Sequence, residues 1–342
     1  MADERRRIKL LNDRAAAAVR GSQVIGSVSR AVEELVRNSV EGCSKSCVIS
    51  VGPNEIIVSD DGVGIDAEAM CALIGTEYCS NDEGTGGRKG ETLRSLASLC
   101  VEMKVETACW HCENSVPRRM NSLGSSKLMV SEKLFRDGGL VFFNRSSDIS
   151  PAIIPNNHNN ATKTGTVVTL RGIFHRHAVR RKHHTLAKHD KAYNGRELTQ
   201  IRACWRLLAL SYPCVYFELR DGTTDKVDLS FSPCLQTTAS PWSLSAEAHA
   251  LRRRLGEMYP DDFPPEDSTE LSLEEDQSTF RAFGVLSIAK ADDDDGVAVR
   301  NRELEIICIN GRLATHRDRL ADAIFSQMRQ CRGSKTSELL PV

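Results

Sequence analysis

At 342 residues the chain is longer than an ordinary single domain and suits two. Hydrophobic residues at 40% against 27% charged ones fit a globular chain, and aromatics at only 5% leave the core to Leu, Val, Ile and Ala. A net charge of −1 excludes a globally basic nucleic-acid binder, and no run approaches the ~18 apolar residues of a membrane-spanning helix. The opening MADERRRIKLLND lacks the apolar stretch of a secretory signal, so the 12 scattered cysteines read as reduced intracellular thiols.

In chain order, the first periodic segment is about 27–40, where Val28, Val32, Leu35 and Ser39 fall on one helical stripe. Residues 47–51 and 55–59 read as strands joined by the turn Gly52-Pro53-Asn54. A glycine-punctuated stretch, 60–90, follows; then come a helix over 91–100 and a strand from Val101. The region 109–160 is poor in pattern and reads as loops or insertions. A strand over 167–170 is entered through Thr164-Gly165-Thr166. A helix beginning near Glu197 leads to a strand over 214–220, and the domain boundary is expected just before that helix, dividing 1–195 from 196–342. In the second part 283–290 and 303–309 read as strands, Asp292–Asp295 as an exposed acidic loop, and 320–331 as a closing helix. The pattern predicts an α/β first domain and a smaller α/β second one.

Charge is unevenly spread. Residues 175–191 hold six Lys/Arg against one acid, whereas 261–276 are acidic. The basic run suits phosphate contact, or equally a solvated face.

Three short motifs bear chemistry. Glu34 and Asn38, four residues apart, project from one helical face: a carboxylate to polarise a water and an amide oxygen for Mg²⁺. The same spacing is common on solvated helices. Asp60, Gly62 and Gly64 at a strand end combine an acceptor for an exocyclic amine with glycines that let backbone approach a planar base. A plain strand-ending turn is the alternative. The third motif, 84–93, sets glycines before a helix and so aims free N–H groups and a positive dipole outward, with Lys89 adding charge. A surface loop is its bland counterpart, and neither the P-loop nor the dinucleotide pattern fits. Cys109 and Cys112 form a lone CxxC, short of the second pair a zinc site needs. The Asp292–Gly296 run misses the EF-hand spacing.

Taken in order, ExxxN on a helix, DxGxG at a strand end, a glycine-rich helix start and Gly165-Thr166 before a strand resemble the Bergerat ATP-binding fold. That fold, an α/β sandwich, belongs to the GHKL superfamily of DNA gyrase, the Hsp90 chaperone, histidine kinases and MutL. Longer stretches resemble the MutL family of DNA mismatch repair proteins: AVEELVRNSVEG, DDGVGI, GRKGETLRSLASL, GTVVTLRGIFHRHAVRRK and ICINGRLATHRDRLADAI. The short opening VRGSQVIGSVSRAVEEL is closer to the third eukaryotic MutL homologue.

By that resemblance the chain is a slow Mg²⁺-dependent ATPase whose nucleotide state controls dimerisation and DNA engagement. Glu34 is implied as general base and Asn38 as Mg²⁺ ligand. Asp60 is implied to bind the adenine amine, with Gly62 and Gly64 walling the base and Thr166 near it. Lys89, Gly90, Glu91, Thr92 and Leu93 are implied as the phosphate-binding lid, and 196–342 as a transducer domain. Arg176, Arg180, Arg181 and Lys182 are candidate DNA-phosphate contacts. The implied partner is another MutL homologue, and the implied location is the nucleus in a eukaryote.

Several positions depart from the family pattern. Asp61 stands where Asn is usual, Asn81 for Lys, Arg88 for Phe, Glu41 for Asp and Ala178 for Pro. The family's HPAK lysine has no counterpart before Val342, and no endonuclease region is expected. A fragment or short form is therefore expected, and a non-catalytic, partner-binding subunit is the alternative reading.

Overall fold

The computed structural model of the chain describes residues 13–73, 89–111, 127–146, 164–177, 180, 191–234, 244–260, 268–274, 281–287, 308–309 and 312–313. Backbone contacts gather the chain into two units. The first comprises Met1–Ala209 and Cys214–Pro233, the second Leu210–Pro213 and Cys234–Val342.

Among the described residues the first unit holds the helices α1 (Asp13–Val24), α2 (Val28–Glu41), α3 (Ala67–Ala72), α4 (Lys89–Leu99) and α5 (Lys191–Ser211), whose last two residues fall in the second unit. The strands of the first unit are β1 (Ser46–Val51), β2 (Glu55–Asp60), β3 (Glu102–His111), β4 (Lys127–Arg136), β5 (Gly139–Ser146), β6 (Gly165–Arg171), β7 (Tyr216–Asp221) and β8 (Val227–Phe231). They form one eight-stranded sheet in the order β5-β4-β3-β6-β2-β1-β7-β8. Of these neighbours β1 and β7 run parallel, while the other pairs are antiparallel.

The expected amphipathic helix is α2. Ser27 caps it by accepting from Arg30 N at 3.1 Å, which satisfies one of the orphan donors of the first turn. Val28, Ala31, Val32, Leu35, Val36 and Ser39 are buried. Each large apolar side chain so buried stabilises by about 1.5–3 kcal/mol. The chain leaves α2 at Gly42, whose N–H returns to Asn38 O at 2.9 Å. The hairpin β1–β2 then forms around 52–54, with Cys47 opposite Asp60. Helix α1 packs against α4. No periodicity announced α1, because its DRAAAAVRGSQV is rich in small residues that satisfy a helix without marking a face.

The sheet takes in strands on both sides of residue 195: β7 adds in parallel to β1, Tyr216 opposite Ser46 through Asp221 opposite Val51, and β8 adds to β7. A parallel pairing between strands so far apart in the chain leaves no local mark in sequence. The expectation that 109–160 is loop or insertion is corrected. Strand β3 runs to His111, and β4 and β5 form a hairpin about Asp137 (φ 51°) and Gly138 (φ 79°). Two positive φ values in succession are the signature of the hairpin turn that Asp-Gly favours. Strand β5 escaped the period-2 reading because Leu140, Val141, Phe142 and Phe143 are all exposed on this outer strand, so its two faces do not alternate.

The second unit contains α6 (Leu244–Met258), the antiparallel pair β9 (Ser268–Glu274) and β10 (Arg281–Ser287), and the short pair β11 (Cys308–Ile309) and β12 (Arg312–Leu313). Helix α6 packs on β9 and β10. Its Arg254 is fully buried and donates from Nη2 to Pro213 O at 3.1 Å. The strand expected over 283–290 is met by β10, whereas β9 emerges from a stretch read only as acidic. Of 303–309 only Cys308 and Ile309 fall within the described residues, and 292–295 and 320–331 fall outside them. Among the described residues no helix is long and apolar enough to cross a membrane.

Candidate functional site

The site is built on three strands whose register brings short polar side chains into one row. Asp60 at the end of β2 lies opposite Thr166 of β6, which lies opposite Thr107 of β3. Directly paired residues share a sheet face, so the three stand side by side. Asp60 is buried, and its carboxylate collects three donors. Oδ1 accepts from Gly62 N at 3.0 Å and Thr166 N at 3.2 Å, and Oδ2 accepts from Ser39 Oγ at 2.8 Å. Burial pushes the Asp60 carboxyl above the usual carboxylate range, while those three hydrogen bonds pull against it.

Glycine is required at two points. Gly64 has φ 78°, and a Cβ there would meet Ala108 O at 2.2 Å. Gly165 has φ 150°, and a Cβ there would meet Asp60 O at 2.1 Å. Either substitution drives carbon into backbone oxygen, so the turn 60–65 lies closer to β3 and to the start of β6 than side chains allow.

Asp61, where the resemblance to MutL leads one to expect Asn, has a task of its own. Its Oδ1 accepts from Lys45 N at 2.8 Å and Ser46 N at 2.7 Å, tying the turn to the start of β1. An Asn oxygen could accept the same bonds, so the departure keeps this geometry.

Helix α2 supplies the second half of the site. Ser39 pins it to Asp60, and Asn38 and Glu34 stand on the adjacent surface. Asn38 is half-buried and Glu34 is 7% exposed. Glu34 is ion-paired through Oε1 with Arg30, one turn earlier, while Arg30 and Arg37 also bracket Glu33 at 2.7 and 2.8 Å. Arg30 thus occupies one of the two oxygens that a general base at Glu34 would offer.

The residues expected to bind phosphate, Lys89 to Leu93, lie in α4. Helix α4 is described from Lys89, so Lys89, Gly90, Glu91 and Thr92 lie in its first described turn. Thr92 and Leu93 turn their side chains into the fold, 6% and 8% exposed, and contribute to any phosphate contact through backbone. The side chains of Lys89 and Glu91, and all of 74–88 with Asn81 and Arg88, lie outside the described residues. The chain reaches that segment through α3, whose end is held by Lys133 Nζ donating to Cys71 O at 2.9 Å and Leu73 O at 3.2 Å. Lys133 is buried, and the loss of solvent lowers its pKa.

Two of the DNA candidates are engaged internally. Arg180 Nη1 donates to Ser22 O at 2.7 Å and Ile25 O at 3.2 Å, closing the end of α1, and its guanidinium lies 5.7 Å from the Phe174 ring centroid. Arg176 contacts Asp137 at 3.1 Å and keeps an exposed flank. Arg181 and Lys182 lie outside the described residues, as does Cys112 of the CxxC pair. The residues that sequence reading missed are Ser39, read only as part of a buried stripe, and Thr107. No local signal marks Thr107, because its importance comes from strand register.

Comparison with known proteins follows this geometry. Residues 26–128 match the family described as histidine kinase-, DNA gyrase B-, and HSP90-like ATPase. The DNA mismatch repair protein MutL of Akkermansia muciniphila is 25% identical over 260 residues, covering 71% of this chain and 34% of that protein. MutL of Rickettsia bellii is 29% identical over 233 residues, covering 64% of this chain and 31% of that protein. The chain therefore spans about a third of the length of these curated relatives. Among solved structures, the Aquifex aeolicus MutL ATPase domain complexed with ADP superposes with a TM-score of 0.51 at 17% identity, covering 92% of this chain and all of that one. Residues 26–128 thus resemble the histidine kinase, DNA gyrase B and HSP90-like ATPase family, in a mixed α/β fold like that of the MutL ATPase domain.

Proposed function

We propose that this chain is a MutL-type mismatch repair ATPase, which binds ATP with Mg²⁺ and hydrolyses it slowly to control pairing with another MutL homologue and engagement of DNA. The observation that carries the reading is Asp60: a buried carboxylate fixed by three donors, beside turns where no Cβ fits. Such a floor suits a flat base that presents an exocyclic amine, and the closeness of the backbone at Gly64 and Gly165 suits its planarity. Gly62 and Gly64 wall the base, and Thr166 lies beside Asp60.

Glu34 is the base that takes a proton from the attacking water, and Asn38 offers its amide oxygen to the metal. Mg²⁺ supplies charge neutralisation at the phosphate oxygens. The N–H groups at the start of α4, from Lys89 to Thr92, suit the phosphates, with Leu93 packing behind them. Residues 196–342 include the transducer, and Arg176, Arg181 and Lys182 are the DNA-phosphate contacts, whose effect falls as salt rises. The likeness of the opening segment to the third eukaryotic MutL homologue supports a nuclear protein that works as a heterodimer.

One observation favours a second reading, a partner-binding subunit without turnover: Arg30 holds the Glu34 carboxylate. Equilibrium binding of ATP and GTP with Mg²⁺ to the wild-type chain and to Asp60→Ala tests the nucleotide claim that the first reading needs. ATP-selective binding, weakened about a hundredfold in the variant, is expected from the loss of a hydrogen bond to a charged acceptor. No binding at millimolar ATP sinks the ATPase and leaves the partner-binding subunit.

A further inference from the structure

Thr107 lies on β3 outside every motif of the site, yet it is 2% exposed and its hydroxyl touches three groups. It accepts from Ile65 N at 2.8 Å, donates to Gly165 O at 3.0 Å, and lies 3.2 Å from Thr166 Oγ1. A threonine hydroxyl carries one proton and two lone pairs. Ile65 N–H can only donate and Gly165 C=O can only accept, so the proton of Thr107 is committed to Gly165. Toward Thr166, Thr107 then has only a lone pair to offer, and the proton of Thr166 must point at Thr107.

The consequence reaches the pocket. With its proton committed, Thr166 Oγ1 can only accept from whatever lies beside it. The neighbouring Asp60 carboxylate, already receiving three donors, is also an acceptor. The row is therefore acceptor-only. It matches the exocyclic amine of adenine and opposes the carbonyl oxygen at the same position of guanine.

We propose that Thr107 is a positioning residue for purine selectivity: by fixing the direction of the Thr166 hydroxyl it keeps the base pocket free of donors and so rejects guanine. This rests on the ATP-binding reading above. Thr107 touches no nucleotide itself; it acts through Thr166 and through the turn that Ile65 closes. Without its hydroxyl, Thr166 is free to rotate and donate to a guanine carbonyl, and the penalty against GTP shrinks.

The test is the ratio of GTP to ATP dissociation constants, with Mg²⁺, on the full chain and on Thr107→Val and Thr107→Ser. Valine keeps the shape and removes the hydroxyl; serine keeps the hydroxyl and removes the methyl. Thr107→Val is expected to lower the ratio about tenfold, the worth of one hydrogen bond of this kind. Thr107→Ser is expected to stay within about twofold of wild type, whereas a packing role for the methyl predicts that serine lowers the ratio and valine does not. Thr107→Ala, which cannot overfill the site, carries the same expectation as valine should valine not fold. An unchanged ratio in the variants that lack the hydroxyl, or a serine ratio as low as theirs, overturns the proposal while leaving ATP binding intact. A wild-type chain that binds no ATP removes the nucleotide reading itself, and the relay with it.

Discussion

The two ends of the candidate site are held in different ways. At the base end, Asp60, Thr166 and Thr107 are placed by strand register and tied by short hydrogen bonds to backbone, and glycines stand where no other residue fits. At the end proposed for hydrolysis, Glu34 and Asn38 project from one helix, and Glu34 is shared with Arg30. The first arrangement is determined many times over and has little room to change. The second depends on long side chains of one helix, whose pairing a bound ligand can exchange. The proposed function would use both: a rigid grip on the base, and a reacting end that changes state.

Three substitutions probe this contrast, beginning with the largest effect. Glu34→Ala should lower the rate of phosphate release about a hundred- to ten-thousandfold while ATP affinity moves less than threefold, because a general base acts on the transition state and not on the bound base. Single-turnover hydrolysis beside equilibrium titration reads both numbers. A parallel fall in affinity breaks the division between the two ends.

Gly64→Ala tests the rigidity of the base end. With φ at 78° and Ala108 O at 2.2 Å from the new carbon, the variant should lose about 2–4 kcal/mol of stability and its nucleotide affinity together. Thermal melting with and without ATP is the measurement, and a variant that melts and binds as wild type does shows the turn to be softer than its geometry. The smallest effect is expected from Arg30→Met, which keeps the apolar stem and frees Glu34. Turnover should rise about two- to fivefold if Arg30 restrains the base. Turnover still absent in this variant, with ATP bound, favours the partner-binding subunit.

Legibility in the sequence follows the same contrast. Helix α2 could be read because Val28, Val32 and Leu35 repeat at the helical period, and Glu34 and Asn38 came with it, since one helix fixes their relation. Strands β1 and β2 announced themselves, and Asp60, Gly62 and Gly64 with them, because a strand-ending turn is local chemistry. The β4–β5 hairpin showed one signal, Asp137-Gly138, too little against a β5 whose apolar residues face solvent. Arg180 looked like a free cation in a basic run; only the fold brings Ser22 O and Ile25 O within its reach.

Amino-acid order alone therefore determined some of the local pieces: α2, β1, β2 and β6, where glycine must punctuate them, and which acid, amide and glycines form a motif. Tertiary structure alone decided what those pieces face. The parallel addition of β7 to β1, the donors converging on Asp60, the backbone work of Asp61 and the hydroxyl of Thr107 all join residues far apart in the chain. The reason is physical. Periodicity and turn chemistry act over a few residues, whereas hydrogen-bond polarity in a buried pocket is settled by which strands lie side by side.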